Sequence, residues 1–434
     1  MRAELVAALR ALAEAERDMA AMTADLVAAQ DQLLALSRLT ASTRSRLTLA
    51  SSVEAIAEQA HGLVACRAAF VTLELPAGRR LTAWYPSEAM PAGVVAALST
   101  DVGRRDAARL WSGDAADTTV SVPDGVSSLL VVPVRVRDAA HGAVGLVDKL
   151  RGSFGAPERK LAVAIAEHAG AHFETVMLNQ EALEQVRLTN EMELAAEVQR
   201  HLMPRRLPDL GGLGVEVFSA SRPALLVGGD FCDVVHEPGR PLWLMVGDAS
   251  GKGLSAALIM AMTRTAVRSR LAATPPPAPS EVAAGCNADL FHDFTEVGTF
   301  TSLFLARCDT GCRGLIMANA GHAPVIFRPA DRRAQLLPTG GPPLGFLRVN
   351  AVEEQSLPLA TGDVLVAATD GFSEARDPDG RLLGIEPLLE WVDALARQPA
   401  GEIGRALFDR AEAYDGGTPQ TDDRTLIVLK VVDV

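Results

Sequence analysis

The chain lacks any run of about 18 or more apolar residues, the least a helix needs to span a bilayer. It also shows no signal peptide, because charge appears at once with Arg2 and Glu4, and a soluble N-terminal helix is expected instead. Cysteine is sparse. The five thiols, Cys66, Cys232, Cys286, Cys308 and Cys312, form no CxxC pair and no zinc spacing, and an odd, scattered set argues against a disulfide framework and for a reducing compartment. Basic excess is absent too: the net charge is -13, and no basic stripe carries interleaved aromatics. Nucleic acid is therefore disfavoured as a partner. With no membrane segment either, a cytoplasmic protein is expected.

What is present suffices for several cores. At 434 residues the chain is too long for one ordinary domain, and 48% of it is hydrophobic. The first forty residues repeat with a period of seven: Leu5, Leu12, Met19, Leu26 and Leu33 take position a, and Ala8, Ala15, Met22, Ala29 and Leu36 take position d. That pattern predicts a coiled coil over residues 1–40 and a homodimer, although a helix packed on its own domain is the plainer alternative and alanine at d weakens a zipper.

Residues 43–176 read as a second unit. A helix near Val53 to Val64 and a strand at Ala68 to Leu73 precede the apolar runs Leu129 to Val136 and Ala143 to Val147, which predict a hairpin turning at Asp138 to Gly142. A helix then opens at Pro157-Glu158 with Leu161, Ile165, Ala169 and Phe173 on one face. This order resembles a GAF domain, a sensing fold whose ligand here stays unassigned. Cys66 reads as a buried small apolar residue. Residues 177–204 form a predicted linker helix, ended by Pro204 and Pro208, which is a candidate coupler between this unit and the last half of the chain.

The densest chemistry lies in that last half. Val227-Gly-Gly-Asp230-Phe-Cys-Asp233, Gly247-Asp248-Ala-Ser-Gly251-Lys-Gly253, Thr369-Asp370-Gly371 and Asp422-Asp423 each set an aspartate at the end of an apolar run, beside glycine or another acid. Any one of these aspartates is better read as a turn or helix cap. Four such places together point to a carboxylate cleft for hard divalent cations, since carboxylates without a Cys or His cluster favour Mg²⁺ or Mn²⁺ over zinc. Two such ions can activate a water and clamp a phosphoryl group, so phosphate hydrolysis is the natural chemistry. Gly251-Lys252-Gly253 does not make a nucleotide-binding P-loop: Gly247 stands one residue too close, and glycine rather than Ser or Thr follows the lysine. These glycines instead predict a tight turn and the start of a helix with Leu254, Leu258, Ala261 and Thr265 on one face. Lys252 is a candidate for attracting an anionic substrate, its plainer reading being a solvated lysine at a helix start. Thr274 to Pro279, rich in proline, predicts a stiff loop between two helices.

Taken in order, VGGDFCDVV, LMVGDASGKGLSAALIMAM, FTSLFLARCD, MANAGHAPVI, TGGPPLGF, AATDGFSEARDPDGRLLG and TDDRTLIVL resemble the stage II sporulation protein E type branch of the metal-dependent Ser/Thr protein phosphatases, over about Glu197 to Val434. The resemblance implies an α-β-β-α sandwich over residues 205–434 with two Mn²⁺ or Mg²⁺ ions at one end. Asp248 would bridge the metals with the carbonyl of Ala249 contributing, Asp370 and Asp422 would complete one metal site, and Asp230 would bind directly or stand just behind the ligands. Asp422 is preferred because Asp422-Asp-Arg-Thr425 is similar to the family's Asp-Asn-x-Thr, with Asp423 as the alternative. Larger eukaryotic members place a histidine just after the equivalent of Asp248, where this chain has Ala249-Ser250, and their phosphate-holding arginine has no counterpart here. His322 is the one histidine inside a family motif; a turn residue bonding the backbone is its preferred reading over a general acid.

The expectation is thus an α+β multidomain chain: coiled coil, GAF-like sensor, linker helix and phosphatase. Its implied substrate is a phosphoserine or phosphothreonine on a small anti-sigma-factor antagonist. The rival reading is a non-catalytic signalling scaffold that keeps the phosphatase fold.

Overall fold

A computed structural model describes residues 48–75, 78–112, 125–137, 139–204, 206–309, 311–349 and 351–433. The expected coiled coil over residues 1–40, and Asp138 at the expected hairpin turn, lie outside the described residues. The chain divides into two compact units between Val186 and Arg187. That division falls inside one helix and differs from the boundary expected at residue 205.

In the first unit, Leu49–Leu63 (α1) precedes Cys66–Glu74 (β1) and Arg80–Tyr85 (β2). Ala92–Arg105 (α2), Arg109–Ser112 (β3), Ser128–Val136 (β4) and Ala139–Lys149 (β5) come next along the chain. The strands form one antiparallel sheet in the order β2-β1-β5-β4-β3. Thr48 caps α1 by accepting from the backbone N–H of Ser51. Each strand sends alternate side chains to opposite faces, and both faces are covered. Val71, Leu73, Leu130 and Val132 pack toward α1 and Phe173, whereas Phe70, Leu129 and Val131 pack toward Val95 and Leu98 of α2. Cys66 is buried, and burial pushes its thiol up to about 11, an inert packing residue.

The helix opening at Pro157 and the linker helix are one element, Ala156–Leu202 (α3), with no break between them. Its first part buries Ile165, Ala169 and Phe173 in the first unit.

The second unit is an α-β-β-α sandwich. One sheet, in the order β13-β10-β9-β8-β7, contains Asp230–Val235 (β7), Leu242–Ala249 (β8), Thr301–Cys308 (β9), Gly314–Ala320 (β10) and Glu354–Pro358 (β13). The other, in the order β12-β11-β14-β15-β6, contains Val215–Arg222 (β6), Val325–Arg328 (β11), Gln335–Leu336 (β12), Val364–Ala368 (β14) and Arg424–Val431 (β15). Helices Leu254–Leu271 (α4) and Pro279–Val297 (α5) cover the first sheet, and Glu386–Leu395 (α6) and Ala400–Asp415 (α7) cover the second. The strands read as nearly continuous apolar runs because both faces are buried. On β8, Leu242, Leu244 and Val246 face the partner sheet while Trp243 and Met245 face the helices; on β15, Ile427 and Leu429 face inward while Leu426 and Val428 meet α6 and α7.

Two expectations need correction. The buried face of α4 is made by Ala256, Met260, Thr263 and Val267, and Leu254 and Leu258 are exposed. Cys308 and Cys312, part of the scattered set read as arguing against a disulfide framework, are brought together across the β9–β10 turn with Cα atoms 5.2 Å apart, within bridging distance.

Candidate metal centre

The four aspartate segments converge at one end of the sandwich, two from each sheet. Asp230 opens β7 and pairs in register with Asp248 near the end of β8. Asp370 comes just after β14, and Asp422 and Asp423 precede β15. Burial, then the charge of Asp248, raises the Asp230 carboxyl well above the ordinary carboxylate range. Burial, then the charges of Asp370 and Asp422, pushes Asp248 up to about 7. Asp370 rises to about 6 through burial and the neighbouring Glu374 and Asp422. Three carboxyls held away from their ordinary ionisation by burial and by neighbouring acids form a site that gains from a cation.

The donor set suits a hard ion. Among the described residues, no three His, Cys, Asp or Glu side chains close into a ready-made cage. Asp248, Asp370 and Asp422 are each partly open to solvent, as such a site requires. Ala249 is buried at the end of β8, and its N–H donates to the carbonyl of Gly229 at 3.2 Å.

Adjacent acids take different parts. Asp423 is buried and accepts the N–H of Ala224 at 2.8 Å, which ties it to the segment leading into β7. Asp422 is more exposed, and its carboxylate stands 3.1 Å from Lys252 Nζ. Lys252 also donates to the carbonyl of Thr421 at 2.7 Å. It is therefore placed at the carboxylates, where the sequence offered both a candidate for attracting an anionic substrate and, more plainly, a solvated helix start. His322 is buried; its Nδ1 pairs with Ser302 Oγ at 2.9 Å, its backbone N–H donates to Asn319 Oδ1 at 2.8 Å, and Asn319 donates back to its carbonyl. Burial pushes its imidazole down to about 4, and its backbone and side-chain bonds are those of a turn residue.

Several residues that hold the site were not singled out in the sequence. Thr369 donates to Asp230 Oδ2 at 2.7 Å and accepts from the Thr425 N–H at 3.0 Å, joining the two sheets behind the carboxylates. Arg424 is buried, donates to both oxygens of Asp415 at 2.7 Å, and donates through Nε to the carbonyl of Gly371 at 3.0 Å. Gln199 on α3 donates to the Gly228 carbonyl at 2.7 Å and accepts the Gly228 N–H at 3.1 Å. A side chain on Gly228 would collide with Asp423 Oδ2 at 1.8 Å, and one on Gly371 with the Asp423 carbonyl at 1.9 Å. Thr369 and Arg424 stand inside the phosphatase-like motifs, which was the available signal. Gln199 lies at the start of the stretch of resemblance, near Glu197, and that was its signal.

Comparison with known proteins places this geometry. Residues 238–432 match the family model for stage II sporulation protein E (SpoIIE). Protein IcfG of Synechocystis sp. is 27% identical over 263 residues, covering 55% of this chain and 41% of that protein. Phosphoserine phosphatase RsbU of Bacillus subtilis is 27% identical over 249 residues, covering 57% of this chain and 71% of that protein. The chain thus spans less than half the length of the first relative. The solved SiaA-PP2C domain of Pseudomonas aeruginosa shares the fold, with a TM-score of 0.51 at 24% identity over 57% of this chain and 99% of that one. With its carboxylates gathered at the end of an α-β-β-α sandwich, the chain carries over residues 238–432 a PPM-type phosphatase domain of the SpoIIE family.

Proposed function

We propose that the chain is a signal-regulated, Mn²⁺- or Mg²⁺-dependent protein Ser/Thr phosphatase of the cytoplasm. Its substrate is a phosphorylated anti-sigma-factor antagonist in a partner-switching pathway. The observation that carries the reading is the convergence of Asp230, Asp248, Asp370 and Asp422, two from each sheet, where burial and neighbouring acids raise the proton affinity of Asp230, Asp248 and Asp370. The resemblance to a phosphoserine phosphatase supports the substrate class. No helix among the described residues is long and apolar enough to cross a membrane, in keeping with a cytoplasmic enzyme.

Asp248, the Ala249 carbonyl, Asp370 and Asp422 would hold two ions, with Asp230 beside or among the ligands. Bound there, the ions would supply an activated water and charge stabilisation for the phosphoryl group. The chain's own part is to orient. Thr369 fixes Asp230, Asp423 fixes the approach to β7, and Arg424 fixes the Gly371 turn beside Asp370. Lys252 offers a cation at the rim for the anionic substrate. Residues 43–176 would act as the GAF-like sensor with an unassigned ligand, residues 177–204 as the coupler, and residues 1–40 as a dimerising coiled coil.

The test is Mn²⁺-dependent hydrolysis of p-nitrophenyl phosphate by the full chain. Turnover that vanishes with chelator and with Asp248→Asn is expected. A folded wild-type chain with no such turnover would favour the scaffold reading.

A further inference from the structure

Beside the carboxylates, the second unit displays apolar side chains that nothing in it covers. Leu254, Leu258 and Met262 recur every fourth residue along the outer side of α4, with Leu258 59% exposed. Phe300 and Phe346 meet edge to face, ring centroids 6.4 Å apart, with Phe346 64% exposed and Leu347 beside it. Single exposed apolar residues need no explanation; two groups of them that both adjoin the Ser250 loop call for one.

This surface is built rigidly. Asn287, buried on α5, accepts the Gly345 N–H at 2.8 Å and donates to the carbonyls of Leu347 and Arg348 at 3.0 and 3.3 Å. Leu344 and Thr301 exchange two backbone bonds at 2.8 and 2.9 Å. The turn carrying Phe346 and Leu347 is therefore held with its apolar side chains outward, and little ordering cost remains for a partner. It is also joined to the metal loop. The Ser250 N–H donates to the Phe300 carbonyl at 2.9 Å, and the Phe300 N–H donates to Ser250 Oγ at 3.0 Å, two residues from Asp248.

We propose that the outer stripe of α4 and the Phe300–Phe346 turn dock the phosphoprotein substrate, against an apolar patch next to its phosphoserine. This rests on the phosphatase reading above. A phosphoserine carries its phosphate on one methylene and one oxygen, so a phosphate at the carboxylates forces the substrate's surface against the residues around Ser250. Lys252 and Arg348, both exposed, flank the patch with positive charge, which complements a phosphoserine dianion. A folded protein can cover the stripe as far as Leu258, whereas a short peptide cannot.

The experiment compares the full chain with Leu258→Asp, Phe346→Asp and the distant surface control Leu336→Asp on β12. Three substrates are used: p-nitrophenyl phosphate, a short phosphoserine peptide, and an intact antagonist phosphorylated by its anti-sigma-factor kinase. For the first two variants kcat/KM on the intact phosphoprotein should fall about tenfold or more, mainly through KM, while the two small substrates and the control change less than about twofold. An unchanged rate on the phosphoprotein, or an equal loss on all three substrates, overturns the proposal. So does a change of oligomeric state in the variants, which would assign the face to a second copy of the chain. Failure of the wild type on p-nitrophenyl phosphate with Mn²⁺ is a separate result and overturns the phosphatase reading itself.

Discussion

Asp422 and Asp423 are neighbours in the chain with opposite surroundings, and substitution separates them. Asp423 uses its carboxylate as an acceptor for the Ala224 N–H, so Asp423→Asn, which keeps an acceptor oxygen, should preserve turnover. Asp423→Ala should cost about 1–3 kcal/mol of stability through the orphaned donor. Asp422→Asn should instead weaken Mn²⁺, raising the metal concentration for half-maximal activity with little change in melting temperature. The reverse pattern in metal titrations would move the ligand to Asp423. Arg424→Ala breaks a buried pair with Asp415 and should cost about 3–5 kcal/mol in denaturant unfolding. The carboxylates themselves were legible in the sequence because glycines and a second acid marked the ends of apolar runs. Their supports were not: Thr369 reaches Asp230 across 139 positions, a pairing that only the meeting of two sheets creates.

At the level of elements, periodicity gave α4 its type but not its phase. Leu254 and Leu258 match a helical face as well as Ala256, Met260, Thr263 and Val267 do, and the smaller set wins because it lets the helix lie close on the sheet. The sequence reads the helix at Pro157 and the linker as two segments; their merging was hidden because no residue between them marks or forbids a join. The last turns of α3 pack Met192, Ala195 and Ala196 against Val227 and Ala257, and Gln199 grips Gly228. We therefore expect residues 187–434 to melt higher and bind Mn²⁺ more tightly than residues 205–434. Gln199→Ala in the longer fragment should lose up to about 1–2 kcal/mol, seen as weaker Mn²⁺ activation. The turn joining β9 and β10 should matter less. Replacing Cys308 and Cys312 together with Ser is expected to leave rate and metal content nearly unchanged, because the thiols lie on the β9–β10 hairpin and not among the carboxylates.

On the scale of the whole molecule, pH and metal act in opposition. Asp248 at about 7 and Asp370 at about 6 both exceed the ordinary value of 3.8, so between those values the folded metal-free protein binds more protons than the unfolded chain. Its stability should fall as pH rises through that window and level off above about pH 7. Added Mn²⁺ needs the ionised carboxylates, so the rise in melting temperature it causes should grow from about pH 5 to about pH 8; a shift independent of pH would contradict the cluster. If residues 1–40 pair as proposed, light scattering should find a full-length dimer and a largely monomeric fragment 187–434. The carboxylates divide evenly between the two sheets, and that division has a mechanical meaning. A cation gripped from both sides would rivet this end of the sandwich, adding to the bridges that Thr369 makes to Asp230 and Lys252 makes to Asp422. Hydrogen exchange at the ends of β7, β8, β14 and β15 should then slow together when Mn²⁺ binds, two layers breathing apart when empty and closing as one when loaded.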